Sequence, residues 1–165
     1  MLRQDTTRLP AALALGLALA LGGCGAFRLS SPDRPVVVST AYAASGAAAI
    51  SAYRRSRGLP PVRVDATLMR VAEHQARAMA RTGDFSHNAG GAFFGRIRQF
   101  GTNHTAAAEN LSLGARSVDE AMSDWKASAE HDKALLMPQA TRIGLVRADT
   151  AVPGGQRYWA LVISD

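Results

Sequence analysis

The chain has 165 residues, which is enough for one globular domain and too few for two domains of ordinary size. Its single cysteine, Cys24, excludes an intramolecular disulfide and a cysteine-based zinc site, so the core must rest on packing alone. The formal charge of +6 suits an anionic partner, but the arginines are scattered without interleaved aromatic residues, which argues against nucleic-acid binding.

The amino terminus has the layout of a bacterial lipoprotein signal. Arg3 and Arg8 precede an Ala/Leu-rich run over residues 11–21. This run is shorter than the roughly 20 apolar residues of a membrane-spanning helix. Two glycines then precede Cys24, and a cysteine after small residues resembles the lipobox, in which the thiol is acylated. We therefore predict a lipoprotein signal peptide over residues 1–23.

The predicted mature protein is exported and anchored in the membrane through acylated Cys24. Several acyl chains anchor a protein firmly in the membrane, whereas a single acyl chain gives only marginal membrane affinity. The domain would lie on the periplasmic or cell-surface side, at the outer membrane if the source has one. Residues 24–43 are interpreted as a tether because Pro32 and Pro35 keep the chain extended. The folded domain is then predicted over residues 44–165.

The remaining predicted elements are helices around a small set of strands. In chain order they are a helix over 44–57, a helix that begins at the N-cap Asp65, a short helix around 93–97, a strand over 106–113, a helix that begins at Ser117, and strands over 142–147 and 157–164. This order predicts the α+β class, with the elements arranged in layers.

The stretch from Ser117 to Met137 is interpreted as an amphipathic helix that ends by presenting His131. Ser117 and Glu120 have the spacing of a capping box, and apolar residues follow at helical intervals. Ser128 is predicted to cap a last short turn and thereby orient the histidine. Of the other histidines, His74 and His104 are predicted to be solvated.

Taken together, the sequence resembles the CAP superfamily of cysteine-rich secretory, antigen 5 and pathogenesis-related type 1 proteins, in its disulfide-free bacterial branch with the SCP-like domain. The resemblance spans about 46–163 and rests on residues in a fixed order: Leu68, Ala72, Met79, Ala80, Ser86, His87, Arg96, Ile97, Glu109, Asn110, Trp125, Ser128, His131, Ile143, Gly144, Tyr158 and Trp159. It implies an α–β–α sandwich without disulfides.

The resemblance also implies a cleft lined by two histidines and two acidic residues. His87, Glu109 and His131 take three of these positions. The second acid is expected a few residues after the first histidine, but residues 88–96 contain no carboxylate. The implied site is therefore a trio.

Three interpretations of this trio stay open. Two imidazoles and one carboxylate are the ligand set of an open site for zinc or another divalent metal. With a metal, the alternative function is a metal-dependent hydrolase of peptidase type, although no general base is assigned. Without a metal, Glu109 would satisfy the ring nitrogens of His87 and His131 in a buried polar network.

The absence of the second acidic residue favours a binding function over a catalytic one. We therefore predict a lipid-anchored binding or interaction module at the cell envelope. Its ligand would be a lipid, a cell-wall polymer or another envelope protein, and family resemblance does not choose among them.

Overall fold

The computed structural model describes residues 34–101 and 104–165. Its elements in chain order are β1 (Val36–Ser39), α1 (Ala43–Ser56), β2 (Arg63–Val64), α2 (Ala66–Thr82), α3 (Phe93–Gln99), β3 (Ala107–Leu113), α4 (Val118–Ala127), α5 (Ala129–Leu135), β4 (Arg142–Thr150) and β5 (Arg157–Ser164). The predicted signal peptide, Cys24 and most of the predicted tether lie outside the described residues. Within those described ranges, no helix has the length and apolarity needed to cross a membrane.

The strands form one sheet in the order β1-β4-β5-β3, and the short β2 pairs in parallel with β4. The other pairs are antiparallel. Most of β5 is buried on both faces, which explains its nearly continuous apolar sequence. Trp159 and Ile163 pack into the core on one face, and Tyr158 and Val162 into the core on the other. β3 is left at an edge of the sheet.

Helices cover both faces, as the resemblance implied. The core that includes Leu68 and Val71 of α2 also includes Ile97 of α3. The opposite core joins Ile50 of α1 to α4 and α5. This arrangement is an α–β–α sandwich of the predicted class.

Helix α2 lies very close to the sheet. Its N-cap Asp65 accepts hydrogen bonds from the backbone N–H groups of Thr67 and Leu68, as the sequence predicted. A Cβ atom on Gly144 of β4 would lie only 2.2 Å from the carbonyl of Leu68. The glycine therefore permits the close approach of helix and strand.

Two sequence predictions need correction. Val36–Ser39, predicted as part of the tether, forms β1 and pairs with β4, because its β-branched run supplies a strand. The predicted tether over 24–43 is therefore too long at its carboxyl end. The helix predicted from Ser117 is divided at Ser128, whose backbone is extended, so α5 carries His131 on a separate short helix. Ser128 holds the N-cap position of α5 but makes no side-chain capping bond.

Arg54 is fully buried within α1 and was not singled out by the sequence analysis. Its guanidinium donates to the carbonyl groups of Pro60, Leu135, Met137 and Ala140. Burial lowers the pKa of Arg54, whose charge is stabilised by these carbonyl dipoles. The side chain fastens α1 to the turn that follows α5.

Candidate functional site

The centre of the site is a buried ion pair between Arg96 of α3 and Glu109 of β3. Nη1 of Arg96 lies 2.7 Å from Oε2 of Glu109, and Nη2 lies 3.0 Å from Oε1. Only 1% of the arginine side chain and 2% of the glutamate side chain are exposed. This bidentate contact fixes both the distance between the two charged groups and their relative orientation.

Arg96 also orders the loop that carries His87. Its Nε donates to the carbonyl of Gly91 at 2.9 Å, and its Nη2 donates to the carbonyl of His87 at 2.9 Å. Gln75 of α2 holds the same loop from the other side by bonding the carbonyl of Ser86 and the N–H of Gly90. The loop is thus tied to two helices.

His74 also contacts the loop that carries His87. Its Nε2 lies 3.0 Å from the carbonyl oxygen of Gly90, and its ring packs edge-on against Phe100. The side chain is half-buried, so the prediction that His74 is solvated was wrong. A helix face that is charged in sequence can still be covered when a loop folds over it.

His87 is the exposed member of the site, with 53% of its side chain open to solvent. Its Nδ1 lies 2.8 Å from Oε1 of Glu109. Because an ionised carboxylate can only accept, Nδ1 carries the proton and donates it. The exposed ring therefore keeps Nε2 as an acceptor for a ligand.

His131 reaches the site from α5 and is half-buried. Its carbonyl accepts a hydrogen bond from Nδ2 of Asn110 at 2.9 Å, which ties α5 to β3. Burial, together with repulsion from His87, lowers the pKa of His131.

Of the three predicted residues, Glu109 and His87 are in direct contact, whereas His131 is tied to β3 through its backbone carbonyl. Glu109 was expected between two ring nitrogens, yet its carboxylate bonds to His87 and to the guanidinium of Arg96. In the described part of the chain no hydrogen bond joins it to His131. In the sequence, Arg96 was named only as part of the family pattern. Its burial beside Glu109 was not predicted, and this contact makes it part of the site.

This donor set does not fit the zinc or other divalent metal that the trio had suggested. Both oxygens of Glu109 already face a guanidinium, and Nδ1 of His87 donates to one of them. A dication there would stand beside the buried charge of Arg96 without a free carboxylate to offset it. Across residues 34–101 and 104–165, no group of three or more His, Cys, Asp or Glu side chains is arranged to hold a metal ion.

His104 belongs to a different cluster. Only 5% of its side chain is exposed, and its Nδ1 lies 3.3 Å from Oδ1 of Asp165 and 3.2 Å from Nη2 of Arg142. The prediction of a solvated loop histidine was therefore wrong. Hydrogen bonds from Thr105 and Ser164 lower the pKa of Asp165, so this cluster keeps a carboxylate charge at the end of the sheet.

Comparison with known proteins agrees with the fold. The family model for CAP, the cysteine-rich secretory protein family, matches residues 47–162. The chain belongs to this family. The uncharacterized protein YkwD of Bacillus subtilis is 31% identical over 97 residues, which are 58% of this chain and 38% of that protein. The chain thus matches well under half the length of that relative.

Solved structures share the CAP fold at low sequence identity. An outer surface protein of Borrelia burgdorferi superposes with a TM-score of 0.70 at 19% identity, over 80% of this chain and 98% of that one. An extracellular SCP-domain protein of Bacillus anthracis superposes with a TM-score of 0.64 at 20% identity, over 73% of this chain and 39% of that one. The sandwich described above is therefore the architecture of the family.

Proposed function

We propose that this CAP domain is an exported binding module, that acylated Cys24 holds it at the membrane, and that its ligand site is the cleft between His87 and His131. Export is supported by the lipobox-like sequence before Cys24 and by the similarity to proteins named as extracellular or outer-surface. The observation that carries the binding role is the buried pair of Arg96 and Glu109.

The ion pair favours binding over hydrolysis for a chemical reason. A general base must take up a proton, but both oxygens of Glu109, the only carboxylate of the trio, already accept hydrogen bonds from Arg96. The same contacts fix the orientation of His87 before any ligand arrives. Preorganised polar groups reduce the entropic cost of binding, so the geometry suits recognition.

The binding role can be tested through the histidine ring protons. We expect the NMR signals of His87 and His131 to shift on addition of at least one of three probes: a muropeptide, an anionic lipid vesicle or a short extended peptide. The signals of His104, which lies outside the cleft, should stay in place. The titration is run with a chelator, so that a metal contributes nothing. Absence of a shift with all three probes would refute the binding role.

Membrane attachment is tested separately with the full chain. Cys24→Ser removes the acylated thiol, so the protein should move from the membrane fraction to the soluble fraction. A matched Ser30→Ala change in the predicted tether should leave fractionation unchanged. Undiminished membrane association of the cysteine variant would contradict the anchor and leave the cleft proposal standing.

A further inference from the structure

An open groove separates the outer surfaces of α1 and α4. Its volume of about 530 Å³ falls in the range of about 300–1,000 Å³ that is usual for ligand sites. Each helix contributes three residues to its walls: Ala49, Ala52 and Tyr53 of α1, and Asp119, Met122 and Lys126 of α4. The two alanines leave the groove open because a methyl group fills little space. None of the six residues belongs to the trio of the cleft.

The two ends of this groove carry opposite charges. Asp119 and Lys126 are both exposed and lie seven positions apart on α4. Seven residues are close to two helical turns, so both side chains lie on the same face of the helix, about 10 Å apart along its axis. Met122 lies between them and lines the same groove. The groove is therefore charged at its ends and apolar in its middle.

Neither of these charges is neutralised by a neighbour. Among the residues that the structure describes, no hydrogen bond or ion pair reaches the carboxylate of Asp119. The nearby cation Arg116 is directed to Glu120, which it contacts at 2.9 Å. The ammonium group of Lys126 contacts only the ring of Tyr53 within the described ranges, so its three N–H donors stay available. Both charged groups can therefore meet a ligand.

The end of the groove at Lys126 has a net positive charge. The ammonium group of Lys126 lies 5.5 Å from the centroid of the Tyr53 ring, and the guanidinium carbon of Arg57 lies 5.3 Å from it. The Tyr53 hydroxyl donates to Oδ1 of Asp132 at 2.6 Å, which fixes the ring. Two cations and one carboxylate leave one positive charge here. An anionic group is therefore favoured at this end, and a cationic group at Asp119.

We propose that the groove between α1 and α4 binds a short peptide with free ends, its ammonium group at Asp119 and its carboxylate at Lys126. An extended chain spans about 3.3–3.6 Å per residue, so three residues match the separation of about 10 Å between the two charges. The middle of the groove, formed by Met122, Ala49 and Ala52, accepts small side chains. This site is separate from the cleft and does not depend on the binding role of the cleft.

The probe is trialanine, and the full chain is labelled with carbon-13 at its methionine methyl groups for NMR. Met122 lines the groove, whereas Met79 is fully buried in the core on the other face of the sheet. We expect trialanine to shift the Met122 signal with a dissociation constant of about 1 mM and to leave Met79 in place. A second tripeptide of the same charge ends in D-alanine. The tighter of the two shows whether the site prefers peptides from proteins or from cell walls.

Capped peptides and neutral variants assign each end of the groove. Trialanine amide lacks the carboxylate and N-acetyl-trialanine lacks the ammonium group, and each cap should weaken binding about threefold to fivefold. Lys126→Gln should weaken trialanine by the same factor and leave the amide unaffected, whereas Asp119→Asn should leave the N-acetyl peptide unaffected. As matched controls, Lys133→Gln and Glu130→Gln remove exposed charges outside the groove and should change none of these affinities at physiological salt.

The outcomes separate this site from the cleft. If trialanine leaves the Met122 signal in place, the groove proposal is overturned. Equal weakening of trialanine and its amide by Lys126→Gln also overturns it, because the lysine would then not contact the carboxylate. If the peptide shifts the ring signals of His87 and not Met122, the cleft is its site, so the binding role stands and the groove proposal fails. A shift at Met122 alone, lost with the matching caps, supports the groove whatever the cleft binds.

Discussion

Replacement of Arg96 tests whether the buried ion pair holds the site together. Arg96→Met removes the guanidinium while keeping an unbranched apolar chain. It leaves the carboxylate of Glu109 buried with no cation, and breaking such a pair costs about 3–5 kcal/mol. The carbonyl groups of Gly91 and His87 also lose their donor. Their loop can turn toward water, so these losses should add only about 1 kcal/mol.

The expected loss is therefore about 4–6 kcal/mol in the free energy of unfolding, as large as the whole stability of many domains. Urea denaturation followed by circular dichroism measures it. Arg96→Lys, which keeps the charge but loses the two-pronged contact, should remain folded and lose about 2 kcal/mol. As a matched control, Arg77→Met breaks the exposed pair with Glu73 and should cost about 0.3 kcal/mol.

A second substitution separates the buried charge from lost packing. Adding Glu109→Gln to Arg96→Met removes the uncompensated carboxylate, so the double variant should be more stable than Arg96→Met alone by about 2 kcal/mol or more. If Arg96→Met costs less than about 1 kcal/mol, or if the second change gives no recovery, the pair is not the structural centre of the site.

The remaining predictions concern the metal, the pH dependence and the core. In calorimetric zinc titrations, the wild type and the variant carrying both His87→Ala and His131→Ala should give the same small heats; stoichiometric binding lost in the variant would contradict the poor fit of the donor set. The pKa of His131 is lower in the folded than in the unfolded state, so acidification from pH 7 protonates His131 in the unfolded chain first. The free energy of unfolding should therefore fall with pH until the lower pKa of the folded state is passed. His131→Gln should reduce that slope, and an unchanged slope would assign the dependence to other groups. Arg54→Met leaves the carbonyl groups of Pro60, Leu135 and Ala140 without a donor, whereas that of Met137 keeps the N–H of Ala140; the change should cost about 3 kcal/mol in chemical denaturation, and a near-neutral result would mean that water replaces the guanidinium. Gly144→Ala should cost about 2 kcal/mol because its methyl meets the backbone of α2, while Gly95→Ala, which meets open space, should not destabilise the protein; equal melting temperatures would refute the close-packing argument.

Local signals explain which predictions were confirmed. The N-cap Asp65 and the amphipathic repeat after it predicted α2, because caps and helical spacing depend on residues a few positions apart. The strand over residues 106–113 was predicted from its composition and observed as β3. The short turn predicted after Ser128 was observed as α5, but its backbone begins there without the predicted side-chain cap.

Long-range contacts decided the chemistry of the site. The sequence alone determined the helices, most of the strands, the α+β class and, by resemblance, the trio of His87, Glu109 and His131. Only the tertiary structure decided that Arg96 neutralises Glu109, because these residues are 13 positions apart on different elements and meet when α3 packs beside β3. It also decided that β3 lies at the edge of the sheet. Strand order depends on pairing between distant segments, which no periodic pattern within a single strand specifies.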